Sequence, residues 1–258
     1  MKRITDSMKK LSLILFLALV LFACGKQHNE QLKTTAYHKT AHVRAADGAR
    51  ECMDIDMQIE FPTESQNPQA LTPIQQSIMQ HLFPDYCASM PIKEAVNAYA
   101  DTLAKEYQDD NYMLISEDKE LMESVHYFPA EFLLNADINN INDNILSYQI
   151  EEYNYYGGAH GSTTTTYLVF NLNNGQQLTY ADFLDLSDQE LTLLLQQELC
   201  RQTQLTQLQL EELGYDFSFI KPTQNFFVET DSLVFHYNAY DIAPYCVGAQ
   251  SIKIPRSK

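Results

Sequence analysis

Residues 145–172 have the sequence ILSYQIEEYNYYGGAHGSTTTTYLVFNL. Two runs rich in Tyr, Ile, Val and Thr flank the segment GGAHG at 157–161, which holds three of the chain's eight glycines. Aromatic and β-branched residues favour strands, and glycines permit a tight connection that exposes the backbone. This stretch therefore predicts two strands, 145–156 and 163–172, joined by a short glycine-rich loop.

Strand and helix patterns alternate on both sides of this stretch. Apolar residues at every second position predict a strand from Cys52 to Phe61, ended by Pro62, and a polar break is expected at 137–144. A helix is expected to begin at Thr72-Pro73, a second after Pro91 and a third at the capping box of Ser187. Further short strands are predicted at 125–132, 226–229, 233–237 and 251–254. This order predicts an α+β fold with antiparallel sheet packed with helices, in two lobes, 51–152 and 153–258, of one continuous globular unit.

The first 23 residues have the layout of a signal peptide. Lys2, Arg3, Lys9 and Lys10 precede an apolar run from Leu11 to Ala23, which at thirteen residues is shorter than the about 20 that a membrane-spanning helix needs. The run ends at Ala23-Cys24, which looks like a bacterial lipobox. We therefore expect Cys24 to be lipidated and to anchor an exported protein to a membrane of the bacterial envelope. The alternative is an ordinary signal peptide that leaves Cys24 free.

Residues 24–50 are polar and show little apolar periodicity, which predicts a flexible tether. The segment 25–30 has a single acid, Glu30, and does not distinguish the inner from the outer membrane. His38 and His42 are four positions apart, but no nearby residue completes a metal site. The sequence predicts no metal and no cofactor.

Charge restricts the possible partners. The formal net charge is −17, and removing residues 1–23 takes away four basic residues and one acid, which leaves −20. Binding to nucleic acid needs a basic face, so this class of partner is excluded. Residues 120–200 contain twelve acids and no Lys or Arg, so this part of the chain projects a negative field. Such a field favours a basic protein partner, although solubility alone also explains it.

Four cysteines remain after Cys24. In an oxidising compartment an even number favours disulfides, with three possible connectivities. Of these we expect Cys52 with Cys87 and Cys200 with Cys246.

His160 is the candidate for acid–base chemistry, because it lies between glycines on a loop. It needs a carboxylate partner, for which Asp241, Glu152 and Asp182 are candidates. The alternative is that His160 only hydrogen-bonds backbone. Tyrosines around the same segments could line a groove for sugar rings, or could simply pack in the sheet. They are Tyr148, Tyr153, Tyr155, Tyr156, Tyr237, Tyr240 and Tyr245.

Two segments together carry a family resemblance. The segment YGGAHG at 156–161, with 170–184 after it, and the segment YDIAPY at 240–245 are similar to the bacterial extracytoplasmic family catalogued as domain of unknown function 3298. The part from Cys52 to Glu152 resembles the companion domain of unknown function 4163. The resemblance implies an envelope protein, with members that occur as lipoproteins, as a lysozyme-binding sensor, or beside a peptidoglycan deacetylase domain.

The combined expectation is an envelope lipoprotein with a non-catalytic binding or sensor-like domain. Its ligand is expected to be a basic protein such as lysozyme, or cell-wall glycan (peptidoglycan). The predicted binding residues are Tyr156, His160, Tyr240, Asp241 and Tyr245. The alternatives are a glycan-processing enzyme that uses His160 and Asp241, and an accessory structural lipoprotein.

Overall fold

A computed structural model describes residues 31–45, 51–86, 90–111 and 129–256. Its eight strands are β1 (Leu32–Arg44), β2 (Glu51–Ser65), β3 (Ala130–Asn142), β4 (Ile145–Tyr155), β5 (Ser162–Asn171), β6 (Phe226–Val228), β7 (Ser232–Tyr237) and β8 (Gln250–Pro255). Its four helices are α1 (Pro68–Leu82), α2 (Ile92–Asp110), α3 (Asp188–Thr203) and α4 (Gln207–Glu212). The predicted α+β class is confirmed.

The first five strands form one sheet in the order β1-β2-β3-β4-β5. Neighbouring strands are antiparallel except β2 and β3, which are parallel, and the connection between these two contains α1 and α2. Parallel neighbours require such a long crossover. One face of the sheet packs on both helices, where residues such as Ile55, Phe132 and Ile78 form the first core.

The last three strands form a second antiparallel sheet, β6-β7-β8, which shares a second core with α3 and α4. The two sheets are joined by hydrogen bonds: the amide of Val228 donates to Ser147 Oγ (3.0 Å), and the Asn142 side chain donates to the Val228 carbonyl (3.1 Å). Residues 31–258 cluster as one unit. The predicted lobe boundary at 152/153 falls within β4, in the middle of the first sheet.

The predicted tether at 24–50 is wrong for residues 32–44, which form β1 along the whole length of β2. Cross-strand ion pairs hold this polar strand, with Lys33 2.6 Å from Glu64 and His42 2.6 Å from Asp54. Cross-strand pairs stabilise a strand even where its own apolar pattern is weak. The partners of β1 lie elsewhere in the chain, so the local sequence does not reveal the strand. The pair His38 and His42 thus lies on a strand. Gln31 and Ala45 are also described, and the other residues of the expected tether lie outside the described part of the chain.

Two predicted element boundaries need correction. Pro62 does not end β2, which continues to Ser65, and the ladder shifts register where Thr34 faces Pro62. Such an irregularity is where a strand tolerates proline. The first helix begins at Pro68 after Asn67, so Pro73 lies inside it.

The predicted polar break at 137–144 is mostly strand. β3 runs to Asn142, and only Asp143 and Asn144 form the turn to β4, both with positive φ (48° and 63°). Asp and Asn tolerate this left-handed conformation and form two-residue hairpin turns. The first predicted strand residues, 125–128, lie outside the described residues.

The predicted Cys200–Cys246 disulfide is wrong, since both residues are free thiols. Cys200, on α3, packs against the second core, whereas Cys246 is exposed in a short turn. Cys52 is fully buried in β2, and Cys87 lies outside the described residues, so this pair stays a prediction.

Candidate functional site

The two segments singled out by their family resemblance meet in the structure. The ring of His160, from the loop between β4 and β5, lies parallel to the ring of Tyr245 with centroids 3.7 Å apart and planes 13° apart. The Tyr245 hydroxyl donates a hydrogen bond to the Gly161 carbonyl (2.9 Å), and the Tyr240 ring lies 5.5 Å from that of Tyr245. We call His160, Tyr240 and Tyr245 the ring stack. Rings in such contact bury apolar area against one another.

Glycines shape the loop that carries His160. Gly157 and Gly158 have φ values of 92° and 104°, which side chains rarely adopt. Gly161 lies in close contact with the end of the Tyr153 ring, which a Cβ at this position would displace. The loop is thus held against the sheet on one side and against Tyr245 on the other.

The second half of the ring stack depends on the turn at 238–241. The amide of Asn238 donates to the Asp241 carboxylate (2.6 Å), and the amide of Asp241 donates to the Asn238 carbonyl (3.1 Å). Tyr240 in this turn has a φ of 75° and is 65% exposed. A bulky residue in the left-handed region costs about 1 kcal/mol or more, and such residues are concentrated at functional sites.

The predicted pairing of His160 with a carboxylate is not formed among the described residues. His160 Nδ1 contacts the Gly161 carbonyl (2.9 Å). Each candidate carboxylate has another partner: Asp241 accepts from Asn238, Glu152 from the Asn154 side chain (2.6 Å), and Asp182 from the Thr179 amide (2.7 Å). Among the described residues, no carboxylate therefore orients the His160 ring for general acid–base catalysis.

Tyr156 is exposed but does not join the ring stack. Burial raises the pKa of its hydroxyl, and the nearby carboxylates of Glu152 on β4 and Glu106 on α2 raise it further. It therefore lies on the side of the hairpin that faces α2. Of the five predicted binding residues, the structure brings together His160, Tyr240 and Tyr245, with Asp241 next to them.

Acidic side chains line the sheet face opposite the helices. By strand alternation and register, this face carries Asp54, Asp56, Glu131, Asp137 and Glu151, which we call the acidic face. Tyr153 points to the same side of β4 as Glu151 and reaches Gly161. The acidic face thus continues into the ring stack.

His236 is a residue of this region that the sequence analysis did not single out. It faces Ser251 across the β7–β8 ladder, with Nδ1 3.2 Å from Ser251 Oγ, and its ring stands edge-on to that of Tyr167 at 5.5 Å. Burial lowers the pKa of His236, although the Asn238 side chain and the carboxylates of Asp241 and Glu151 oppose this shift. The low pKa of His236 results from neighbours that are distant in sequence, so no local motif identifies this residue.

The described residues contain no group of three or more His, Cys, Asp or Glu side chains arranged to hold a metal ion. Within the same residues, no helix is long and apolar enough to cross a membrane.

Comparison with protein families gives two matches. Residues 181–257 match the family described as "Protein of unknown function (DUF3298)", and residues 48–163 match the model "Deacetylase PdaC". The expected resemblance to domain of unknown function 3298 is thus confirmed for residues 181–257. The expected likeness of the upstream part to domain of unknown function 4163 is not shown.

Two solved structures and one curated protein are similar to the chain. A DUF3298 family member from Bacteroides fragilis is 26% identical with a TM-score of 0.78, over 87% of this chain and 90% of that one. A family member from Pseudomonas aeruginosa, 18% identical with a TM-score of 0.57 and the same coverage, shares the fold. A Mycobacterium tuberculosis protein named as an esterase is 33% identical over 104 residues, which is 39% of this chain. The matched part spans 44% of the length of that relative.

Proposed function

We propose that this protein is a cell-envelope lipoprotein whose folded domain is a non-catalytic binding module for cell-wall glycan. The observation that carries the proposal is the ring stack, in which His160 and Tyr240 are exposed and Tyr245 is half-buried. Sugar rings have apolar faces that pack on aromatic rings, and the hydroxyls around them remain solvated. An amphipathic aromatic surface suits this chemistry.

The ring stack is organised before any ligand arrives. Tyr245 is fixed by its hydrogen bond to Gly161, His160 by its contact with Tyr245, and Tyr240 by the hydrogen-bonded turn at 238–241. A surface that is already ordered loses less conformational freedom on binding, which favours affinity. The strained backbone of Tyr240 is consistent with a ring that is held outward for recognition.

The enzyme alternative has less support. The names esterase and deacetylase belong to a relative and a family model. In this chain the histidine that would act as acid or base has no carboxylate partner among the described residues. Binding without chemistry therefore fits the geometry better.

Binding of the Cys24→Ser protein to insoluble peptidoglycan tests this proposal. We expect Tyr240→Ala to weaken binding about tenfold, because the packing of a sugar ring on one exposed aromatic ring contributes about 1 to 2 kcal/mol to the binding free energy. Tyr156→Ala is the matched control, since Tyr156 is 58% exposed but lies outside the ring stack. Equal losses in both variants, or no binding by the parent protein, would refute the proposal.

The acidic face favours a second candidate, a basic protein such as lysozyme. Carboxylates from β2, β3 and β4 on one sheet face would steer a cationic partner towards the domain. Such binding should weaken as salt rises and should be insensitive to Tyr240→Ala. Lysozyme binding that is unchanged from low to high ionic strength would exclude this candidate.

The lipid anchor is tested separately. We expect radiolabelled palmitate to mark the wild-type product and not the Cys24→Ser variant, and the wild type to fractionate with membranes. Recovery of an unlabelled wild-type protein from the cytosol would contradict the anchor and leave glycan binding as an independent question.

A further inference from the structure

We infer that the glycan-binding surface prefers a glycan with free amino groups over a fully N-acetylated one. The inference rests on the proposed function and specifies its ligand. It comes from two carboxylates that lie beside the ring stack. Stacking of a sugar on the rings does not by itself require these charges.

Asp241 places a carboxylate next to the most exposed ring. It follows Tyr240 directly and is itself exposed. One oxygen, Oδ2, accepts from the Asn238 amide, and the other, Oδ1, accepts no hydrogen bond from the described residues. A carboxylate has acceptor sites on both oxygens, so Asp241 can bind a donor from a ligand while it still closes its turn.

Glu151 brings a second carboxylate from another element. It lies on β4, two positions from Tyr153, whose ring touches Gly161 beneath His160. Glu151 faces Thr165 in the β4–β5 ladder. The Thr165 amide donates to the Asn238 side chain, and the Asn238 amide donates to the Asp241 carboxylate in the loop after β7. The two carboxylates therefore converge on the region where the ring stack meets the sheet.

No lysine or arginine neutralises these two acids among the described residues. The ion pairs of lysine and arginine found there are elsewhere: Lys33–Glu64, Arg44–Glu51, Arg201–Glu198, Lys253–Glu229 and Arg256–Asp143. The surface beside the rings thus keeps a net negative charge, which a bound cation would offset.

A protonated amino sugar can bind both the aromatic rings and the adjacent carboxylates. Its ammonium group is a compact cation that donates to carboxylates and is attracted to aromatic faces, while the sugar ring stacks on the tyrosines. An N-acetylated sugar of the same size keeps the ring and loses the charge. The structure therefore distinguishes the two by electrostatics and not by shape.

Isothermal titration of the Cys24→Ser protein with two hexamers tests the inference. One is the hexamer of glucosamine and the other the hexamer of N-acetylglucosamine. At low ionic strength we expect the glucosamine hexamer to bind about tenfold more tightly, since two charge contacts at a surface contribute modestly. At about 0.5 M salt the difference should shrink to about twofold, while binding of the N-acetylated hexamer stays unchanged.

Charge-removing variants locate the effect. Asp241→Asn keeps an oxygen that can accept from the Asn238 amide, so it should preserve the turn. Asp241→Asn and Glu151→Gln should each remove about threefold of the preference, because each weakens binding of the glucosamine hexamer more than binding of the N-acetylated hexamer. Glu212→Gln on α4 makes the same charge change on an exposed residue away from the ring stack and should change neither hexamer.

The outcomes separate the inference from the function beneath it. Equal binding of both hexamers would overturn the inference and leave glycan binding standing. No binding of either hexamer would refute both. A glucosamine preference that Tyr240→Ala does not weaken, or that Glu212→Gln reduces as much as Asp241→Asn does, would show attraction by overall charge and would also overturn the inference.

Discussion

Single residues decide how the binding surface is held, and their roles were only partly visible in the sequence. The pairing of the GGAHG loop with the YDIAPY segment was suggested by family resemblance and is seen as contact between His160 and Tyr245. The distance between them is set by tertiary packing across 85 residues of sequence, which no local pattern encodes. The same limit explains why the sequence left open whether His160 pairs with a carboxylate or only hydrogen-bonds backbone, as it does with the Gly161 carbonyl.

Gly175 is the residue where backbone and packing requirements coincide. Its φ is 76°, and a Cβ there would overlap the carbonyl oxygen of Ala70 in α1. We expect Gly175→Ala to lower the free energy of unfolding by about 2 to 4 kcal/mol, because the positive φ and the backbone clash add. Urea denaturation measures this effect. Gly158→Ala shares the positive φ but has open space around it, and it should cost only about 1 kcal/mol. Equal costs would rule out the clash.

His236 makes stability depend on pH. Burial holds its pKa in the folded protein below the usual value, so the unfolded chain binds a proton here at higher pH than the folded chain does. As pH falls from about 7 to about 5 the proton favours the unfolded state, and the free energy of unfolding should decrease. His236→Asn should flatten this slope. Ser251→Ala, which removes only a hydrogen-bond partner, should retain it. An unchanged slope in His236→Asn, measured by urea denaturation at several pH values, would contradict this account.

At the scale of elements, long apolar alternations were predicted well and polar strands were not. The pattern of 53–61 identified β2, and the capping box at Ser187 identified α3, because both signals are local. β1 and the end of β3 are polar, and they are strands because neighbours supply hydrogen bonds and ion pairs from elsewhere in the chain. Strand preference depends on such neighbours more than helix preference does.

The outer edge of β5 is closed by the backbone of residues 176–178 at Val169 and Asn171, and by side chains at Thr165 and Tyr167. The Asn225 side chain accepts from the Tyr167 amide (2.8 Å) and donates to the Thr165 carbonyl (2.8 Å), while Asn238 accepts from the Thr165 amide (2.7 Å). The two asparagines come from the segments that flank β6 and β7, so they also attach the second sheet to the first. An unprotected edge invites association with other chains, and these amides prevent it.

Replacing one of these asparagines should loosen the edge. We expect Asn225→Ala to cost about 1 to 3 kcal/mol, because it leaves the Tyr167 amide and the Thr165 carbonyl with one partner fewer. Hydrogen exchange should accelerate at the Tyr167 amide. Asn97→Ala, whose side chain contacts only the Lys93 carbonyl of its own helix, is the control and should leave exchange at Tyr167 unchanged. Unaltered protection of Tyr167 in Asn225→Ala would mean that another group closes this edge.

At the scale of the whole molecule, the two cores are expected to unfold together. They are connected through Ser147, Asn142 and the edge of β5. Ser147 is fully buried, and its hydrogen bond with the Val228 amide breaks if either sheet opens. Scanning calorimetry of the Cys24→Ser protein should therefore show one transition with equal calorimetric and van't Hoff enthalpies. Ile78→Ala in the first core and Leu195→Ala in the second each remove a fully buried side chain, at about 2 to 5 kcal/mol, and both should shift that same transition. A second transition that appears only in Leu195→Ala would show that the small sheet opens independently.

In that case the ring stack, which spans the β4–β5 loop and the loop after β7, would be lost below the temperature at which the first core unfolds.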